Sequence, residues 1–151
     1  VMYKYSSEQF VPIPLDKAWD FFSNPDNLAK LTPTDIGFEP VTKSQDKTMY
    51  PGFFITYKVA PLLGIKITWA TEITQVKEHN YFVDEQRMGP YKMWHHEHHF
   101  SEVEGGTLIT DIIHYALPGG FLGRWAHPFL VKPKLAKIFA FREKRVKELF
   151  G

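Results

Sequence analysis

The stretch Tyr91-Lys92-Met93-Trp94-His95-His96-Glu97-His98-His99-Phe100 holds four of the seven histidines in this 151-residue chain. Its side chains alternate with a period of two, which predicts a β-strand, where successive residues point to opposite faces. Trp94, His96, His98 and Phe100 share one face; Met93, His95, Glu97 and His99 share the other. Two imidazoles framed by two aromatic rings predict a polar band on a buried face. The fold and the site both turn on what those imidazoles meet.

The flanking turns set the register. Glu104-Gly105-Gly106 is a tight-turn signal. Pairing Val103 with Gly106 puts Phe100 opposite Ile109, His98 opposite Asp111, His96 opposite Ile113 and Trp94 opposite Tyr115. Three of those four partners are apolar, so this is the buried face. The other face sets His95 against His114 and Glu97 against Ile112, a more solvated mix. Upstream, Gly89-Pro90 marks a second hairpin. A three-residue loop there sets Gln86 opposite Trp94, Asp84 opposite His96 and Phe82 opposite His98; a two-residue loop sets Asp84 opposite His95. The first is preferred because it keeps Phe82 inside. Two cross-strand pairs are therefore expected, Asp84 with His96 and Asp111 with His98.

A carboxylate beside an imidazole favours the charged form of both, and burial disfavours it. The sequence leaves that balance open. It also leaves three chemistries open: a buried network that fixes register and orients a ligand's polar end, general acid/base catalysis by His96, His98, Asp84 and Asp111, and a metal site built on His-x-His with Asp84 or Asp111 as third ligand. The network is preferred. No nucleophile or oxyanion hole is evident, and both aspartates are better placed as imidazole partners than as ligands. The expectation is no metal and no cofactor. His95 and His99, facing outward, are expected to bind nothing.

The rest of the chain supplies a frame. Met2–Val11 predicts a strand, ended by Pro12 and Pro14. Leu15, Ala18, Trp19 and Phe22 recur at helical spacing, and Asn24-Pro25 restarts a second short helix to Leu31. These apolar residues are expected in the core, with a share of them flooring a cavity. Strands are predicted over 36–42, 53–59, 65–76, 81–88 and 107–117, with a polar turn at 44–47. Leu62 and Leu63 stand in an apolar hairpin loop. From Phe121 to Phe150 the pattern is helical, with Leu122, Trp125, Ala126 and Phe129 in one stripe and Leu135, Ile138, Phe139, Val146 and Leu149 in another. Pro128 and Pro133 predict a kink or break at 127–133. A meander of antiparallel strands needs its apolar face covered, and the last helix is the only element long enough. The fold class predicted is α+β: a curved antiparallel sheet of about six or seven strands gripping one long C-terminal helix, as a single domain over 1–151.

Composition narrows the function. The formal charge of +1 gives no general case for nucleic acid. From Lys132 onward seven Lys/Arg meet two Asp/Glu, a net of +5 that leaves the remainder at −4. There is no cysteine, hence no disulfide, which suits a cytoplasmic location. Val1–Phe10 lacks the apolar core of a signal peptide, and no apolar run is long enough for stable membrane insertion. Leu62, Leu63 and the basic C-terminal helix are left as surfaces for transient membrane contact. Oligomeric state is not legible.

Several segments resemble the START-like, or SRPBCC, superfamily of birch-pollen-allergen-like, polyketide cyclase/dehydrase and lipid-transport proteins. They are Pro14–Leu28, Leu31-Thr32-Pro33, Gly89-Pro90-Tyr91 with Trp94-His95-His96, Gly106-Thr107-Leu108, Asp111, Tyr115-Ala116-Leu117-Pro118 and Leu122-Gly123-Arg124. More narrowly, Phe82-x-Asp84-x-Gln86 and Trp94-x-His96-x-His98-x-Phe100 fit a bacterial group of that superfamily. The resemblance implies a helix-grip fold with a cavity between sheet and C-terminal helix, which binds hydrophobic ligands in most branches and hosts chemistry in a few. Such a cavity would take its apolar wall from Trp69, Phe82, Trp94, Tyr115, Phe129, Leu135 and Phe139. Its polar end would be Asp84, Gln86, His96, His98 and Asp111. The expected partner is a small hydrophobic molecule, of lipid or polyketide type, with a cyclase or dehydratase activity as the alternative.

Overall fold

The computed structural model describes residues 1–33, 37–41, 49–60 and 65–151. The apolar loop with Leu62 and Leu63 and the turn at 44–47 lie outside the described residues.

Strand β1 (Tyr3–Val11) is followed by helix α1 (Leu15–Phe22) and a 3₁₀ helix (Pro25–Leu31). Asn24 caps the latter, its side-chain oxygen accepting from the Asp26 amide at 3.0 Å, and Pro25 fills the first position, where its missing N–H costs nothing. Then come β2 (Glu39–Pro40), β3 (Phe53–Val59), β4 (Ile67–Lys77), β5 (Tyr81–Met88), β6 (Met93–Val103) and β7 (Gly106–Ala116). The described strands form one antiparallel sheet in the order β1-β7-β6-β5-β4-β3-β2. Every link except β1 to β7 is a step between sequence neighbours, so the sheet is a meander closed by its first strand. Register shifts in β4, between Ala70 and Thr71 and between Ile73 and Gln75, supply irregularities of the kind that bend a strand. At the opposite edge β1 approaches β7 closely: a Cβ on Gly106 would collide with the Val11 carbonyl oxygen and press the Phe10 ring at 3.0 Å.

The C-terminal segment breaks where its prolines stand. Helix α2 (Phe121–Ala126) runs into a π-helical turn (His127–Val131), and α3 (Lys132–Phe150) follows. Pro128 lies inside the π turn and Pro133 in the first turn of α3, the two places where a missing amide donor is tolerated.

Helix α3 lays Leu135, Phe139 and Val146 toward the sheet, completing an α+β helix-grip fold. The apolar interior falls into two clusters. One gathers Val11, Trp19, Phe53, Ile73, Phe82, Phe100, Ile109 and Val146. The other gathers Trp94, Ile113, Tyr115 and Leu135. Residues at every second position of β7, from Thr107 to Tyr115, are buried, so this strand contributes to both. Burying Ile109 and Ile113 there is worth about 1.5–3 kcal/mol each relative to exposure.

Candidate functional site

Strands β5, β6 and β7 bring the histidines to the aspartates in the register expected: Asp84 is opposite His96, and Asp111 is opposite His98. His96 and Asp111 are buried, and His98 and Asp84 nearly so. The side chains nonetheless pair diagonally. His96 Nε2 lies 2.8 Å from Asp111 Oδ1, and His98 Nε2 lies 2.5 Å from Asp84 Oδ2. The directly opposed contacts are longer, 3.8 Å for His96 with Asp84 and 3.4 Å for His98 with Asp111. The expected pairing of side chains is corrected here. The rings of His96 and His98 stack at 3.7 Å, so each imidazole sits between both carboxylates. His98 also stacks on Phe82 at 4.0 Å, and His96 meets Trp94 edge-on at 6.0 Å. The imidazole pair thus joins the two apolar clusters.

Two further groups complete the network. Arg142 on α3 donates to Asp111 Oδ1 at 3.3 Å, and Thr71 on β4 donates to Asp84 Oδ1 at 3.3 Å. Burial works against ionising Asp111, but the Arg142 charge and hydrogen bonds from His96 and His98 hold its carboxyl well below the usual range. Burial likewise opposes Asp84, and is outweighed by the hydrogen bond from His98, the two imidazole charges and Thr71, so its pKa is lowered. The histidines diverge. Burial and the neighbouring His98 charge pull His96 down, more than its aspartate partners lift it. For His98, hydrogen bonds to Asp111 and Asp84 outweigh burial, and its pKa is raised. These directions favour a state with two carboxylates, one guanidinium on Arg142 and a single imidazolium, carried by His98 in preference to His96. The buried cluster then carries no net charge, which is how four charged groups are tolerated where an unpaired one costs several kcal/mol. Neutral His96 donates from Nε2 to Asp111 and keeps its lone pair on Nδ1.

Beside this cluster lies a cavity of about 210 Å³, lined by the sheet, α3 and the 3₁₀ helix. Trp69, Phe82, Trp94, Leu135 and Phe139 form part of its wall, and Asp84, His96 and His98 its polar patch. Four residues expected there lie elsewhere. Phe129 is mostly exposed, because the π turn precedes α3 and carries it away from the sheet. Tyr115 is buried in the second apolar cluster, with its hydroxyl bonded to His127 at 2.6 Å. Gln86 spans the β5–β6 turn, donating to the Tyr91 carbonyl at 2.7 Å and accepting from the Tyr91 amide at 3.1 Å. Asp111 stands behind the histidines, holding them without facing the cavity.

Sequence reasoning missed Arg142, Tyr57, Tyr91 and Thr71, all of which line the cavity. Arg142 had a readable signal. It is three residues after Phe139 and four before Val146, so it is the one cation within an otherwise apolar helix stripe. Phe22, Leu28 and Leu31 floor the cavity, whereas Trp19 packs on Phe82 and Phe100 in the core. The Trp69 indole N–H is buried in the wall without a hydrogen-bond partner.

Asp84, His96 and His98 each bring one donor atom to within 4.8 Å of the others, a spacing that suits a divalent cation. A cation there competes with the His98 proton and would add positive charge to a cluster that already balances. The outer histidines lie against carboxylates instead: His95 is 3.3 Å from Glu85 and 3.4 Å from Glu97, and His99 is 3.0 Å from Glu97.

The family profile for polyketide cyclase / dehydrase and lipid transport matches residues 11–131, and the chain belongs to that family. No curated protein sequence matches it. Among solved structures it is similar to protein Ms6760 from Mycobacterium smegmatis, at 17% identity and a TM-score of 0.67 over 97% of this chain and 89% of that one. It is similar to Ara h 8.0201, at 16% identity and a TM-score of 0.60 over 98% and 99%. It also superposes on the di-domain ARO/CYC StfQ of the steffimycin biosynthetic pathway, at 12% identity and a TM-score of 0.72 over 99% of this chain and 51% of that one. At these identities the likeness is one of fold. No helix among the described residues is long and apolar enough to cross a membrane.

Proposed function

We propose that the chain is a single ligand-binding domain that acts in the cytoplasm on a small lipophilic molecule of lipid or polyketide type. The observation that carries this reading is a mainly apolar cavity, lined by aromatic and aliphatic side chains, with one charge-balanced polar patch. Apolar walls supply affinity, and few convergent polar groups supply orientation. Asp84, His96 and His98 would meet the ligand's oxygen-bearing end, with the unpartnered Trp69 N–H as a further donor nearby. A volume of about 210 Å³ sits below the usual range for drug-sized ligands, so a compact ring system or one end of a longer chain fits best. Such a ligand favours transient contact with a lipid surface, where it would be collected or released. Native mass spectrometry of freshly purified protein, followed by displacement of a hydrophobic dye by a lipid and polyketide panel, tests the reading. A bound lipophile or saturable displacement, lost in Leu135→Trp, is expected. A clean apo mass with no displacement across the panel sinks it.

One observation favours a second reading, a cyclase or dehydratase. His96 and His98 have pKa values pushed in opposite directions while their rings touch, which is how an acid and a base are set side by side. If turnover exists, His98→Gln should abolish it while ligand affinity stays within a few-fold. Loss of affinity with no turnover in the native protein removes this reading.

A further inference from the structure

The segment Phe121–Val131 plays no part in the cavity, yet it carries the largest exposed apolar side chains of the described chain. Phe121, Trp125 and Phe129 are 69%, 70% and 67% exposed. They recur every four residues, so they follow one side of the helical segment, and the Trp125 and Phe129 rings touch at 5.8 Å. Leu122 and Leu130 are also exposed and extend the stripe. A protein that works alone in water seldom leaves five such side chains together.

The segment is also held firmly. His127, midway along it, stacks on Tyr3 at 3.6 Å and shares a hydrogen bond with the Tyr115 hydroxyl, Nε2 to oxygen 2.6 Å. Those contacts pin one side to β1 and β7 and present the aromatic side outward. The exposure is therefore built in and not a frayed end.

Charge decides what covers it. Between Asp111 and Glu143 the sequence has five cations and no carboxylate, and Arg124 and Lys132 stand at the aromatic segment itself. Arg124 and Lys132 are exposed and flank the aromatic stripe. A second copy of the chain would set this positive zone against itself. A surface of negative headgroups over an apolar layer matches both features, and Trp and Phe favour that boundary. We propose that Phe121–Val131 is a docking surface for anionic lipid bilayers, with Phe121, Trp125 and Phe129 entering the headgroup boundary and Arg124 and Lys132 meeting the phosphates. The contact is peripheral. It holds whether or not the cavity carries a ligand, so it is tested apart from it.

The test is co-sedimentation of the full chain with phosphatidylserine/phosphatidylcholine vesicles and with pure phosphatidylcholine vesicles, alongside a blue shift of tryptophan emission. Expected is binding to the anionic vesicles that weakens with salt. Trp125→Ser with Phe129→Ser should lower the partition coefficient roughly thirty-fold, from the lost apolar burial. Arg124→Glu with Lys132→Glu should lower it by roughly five-fold or more for each residue changed. Unchanged dye binding in the cavity shows that both variants fold. No association with anionic vesicles overturns the proposal, as does equal binding by the variants. So does a concentration-dependent dimer in sedimentation that the same substitutions dissolve.

Discussion

Replacing Arg142 with Met should destabilise the protein in a pH-dependent way. At 3.3 Å and an effective dielectric constant of about 20, the attraction between Arg142 and Asp111 is about 5 kcal/mol. Desolvating the guanidinium offsets part of that, and removing one partner of a buried pair leaves a net cost of about 3–5 kcal/mol. The cluster has a way to recover, because His96 is neutral beside Asp111. Without the guanidinium a proton on His96 restores zero net charge. In the native protein the folded pKa of His96 is lowered, so its contribution to stability is lost as pH falls from the unfolded value near 6.5 through the folded one. In the variant that pKa should rise above the unfolded value, so stability is gained below it and lost as pH climbs through the folded pKa. One proton at about 1.4 kcal/mol per pH unit makes the cost of the substitution larger at pH 8 than at pH 6 by up to about 2.7 kcal/mol. Urea unfolding followed by tryptophan fluorescence at the two pH values measures this. Equal destabilisation at both, or a cost under about 1 kcal/mol at pH 8, would refute the charge-balanced cluster.

The same cluster and the β1–β7 contact can each be probed directly. In an NMR titration of ring protons, one buried histidine should show a midpoint above the unperturbed value and its stacked neighbour one below; the reasoning assigns the first to His98 and the second to His96, and a single shared midpoint would contradict it. Gly106→Ala should lower the thermal midpoint by a cost of about 2 kcal/mol or more, because the new methyl collides with the Val11 carbonyl; a change within about 0.5 kcal/mol would mean that β1 can move off β7 freely.

The register of β5, β6 and β7 was legible in the chain because two turns pin it and because strand period leaves only two faces to choose between. That was enough to send His96 and His98 inward and His95 and His99 outward. Strand period does not say which of two nearby carboxylates an inward imidazole will take. Directly opposed and diagonal partners are both within reach in a sheet, and the stacking of His96 on His98 selects the diagonal. Helix phase failed differently. Leu135 and Phe139 face the cavity as their spacing suggested, but Phe129 lies before α3 across the π turn, where an extra residue per turn breaks the phase. Arg142 escaped notice because a pattern search counts apolar residues and passes over a cation standing among them. The roles of Gln86 and Tyr115 depend on turn and packing geometry that neither composition nor period encodes.

Gln86 braces the β5–β6 turn and does not face the cavity. Its amide makes with Tyr91 the two bonds that a peptide group makes with its partner in a ladder, so a side chain impersonates one more rung beyond the last pair, Glu85 with His95. A Cβ on Gly89 would sit 2.5 Å from the Gln86 oxygen, so the glycine keeps this rung in place. Tyr91 is part of the cavity wall, packed against Trp69 and Trp94. The width of the cavity at that end is therefore set by a removable strut and not by the sheet. Changing that one side chain would move this part of the wall, while the ladder that folds the protein is untouched.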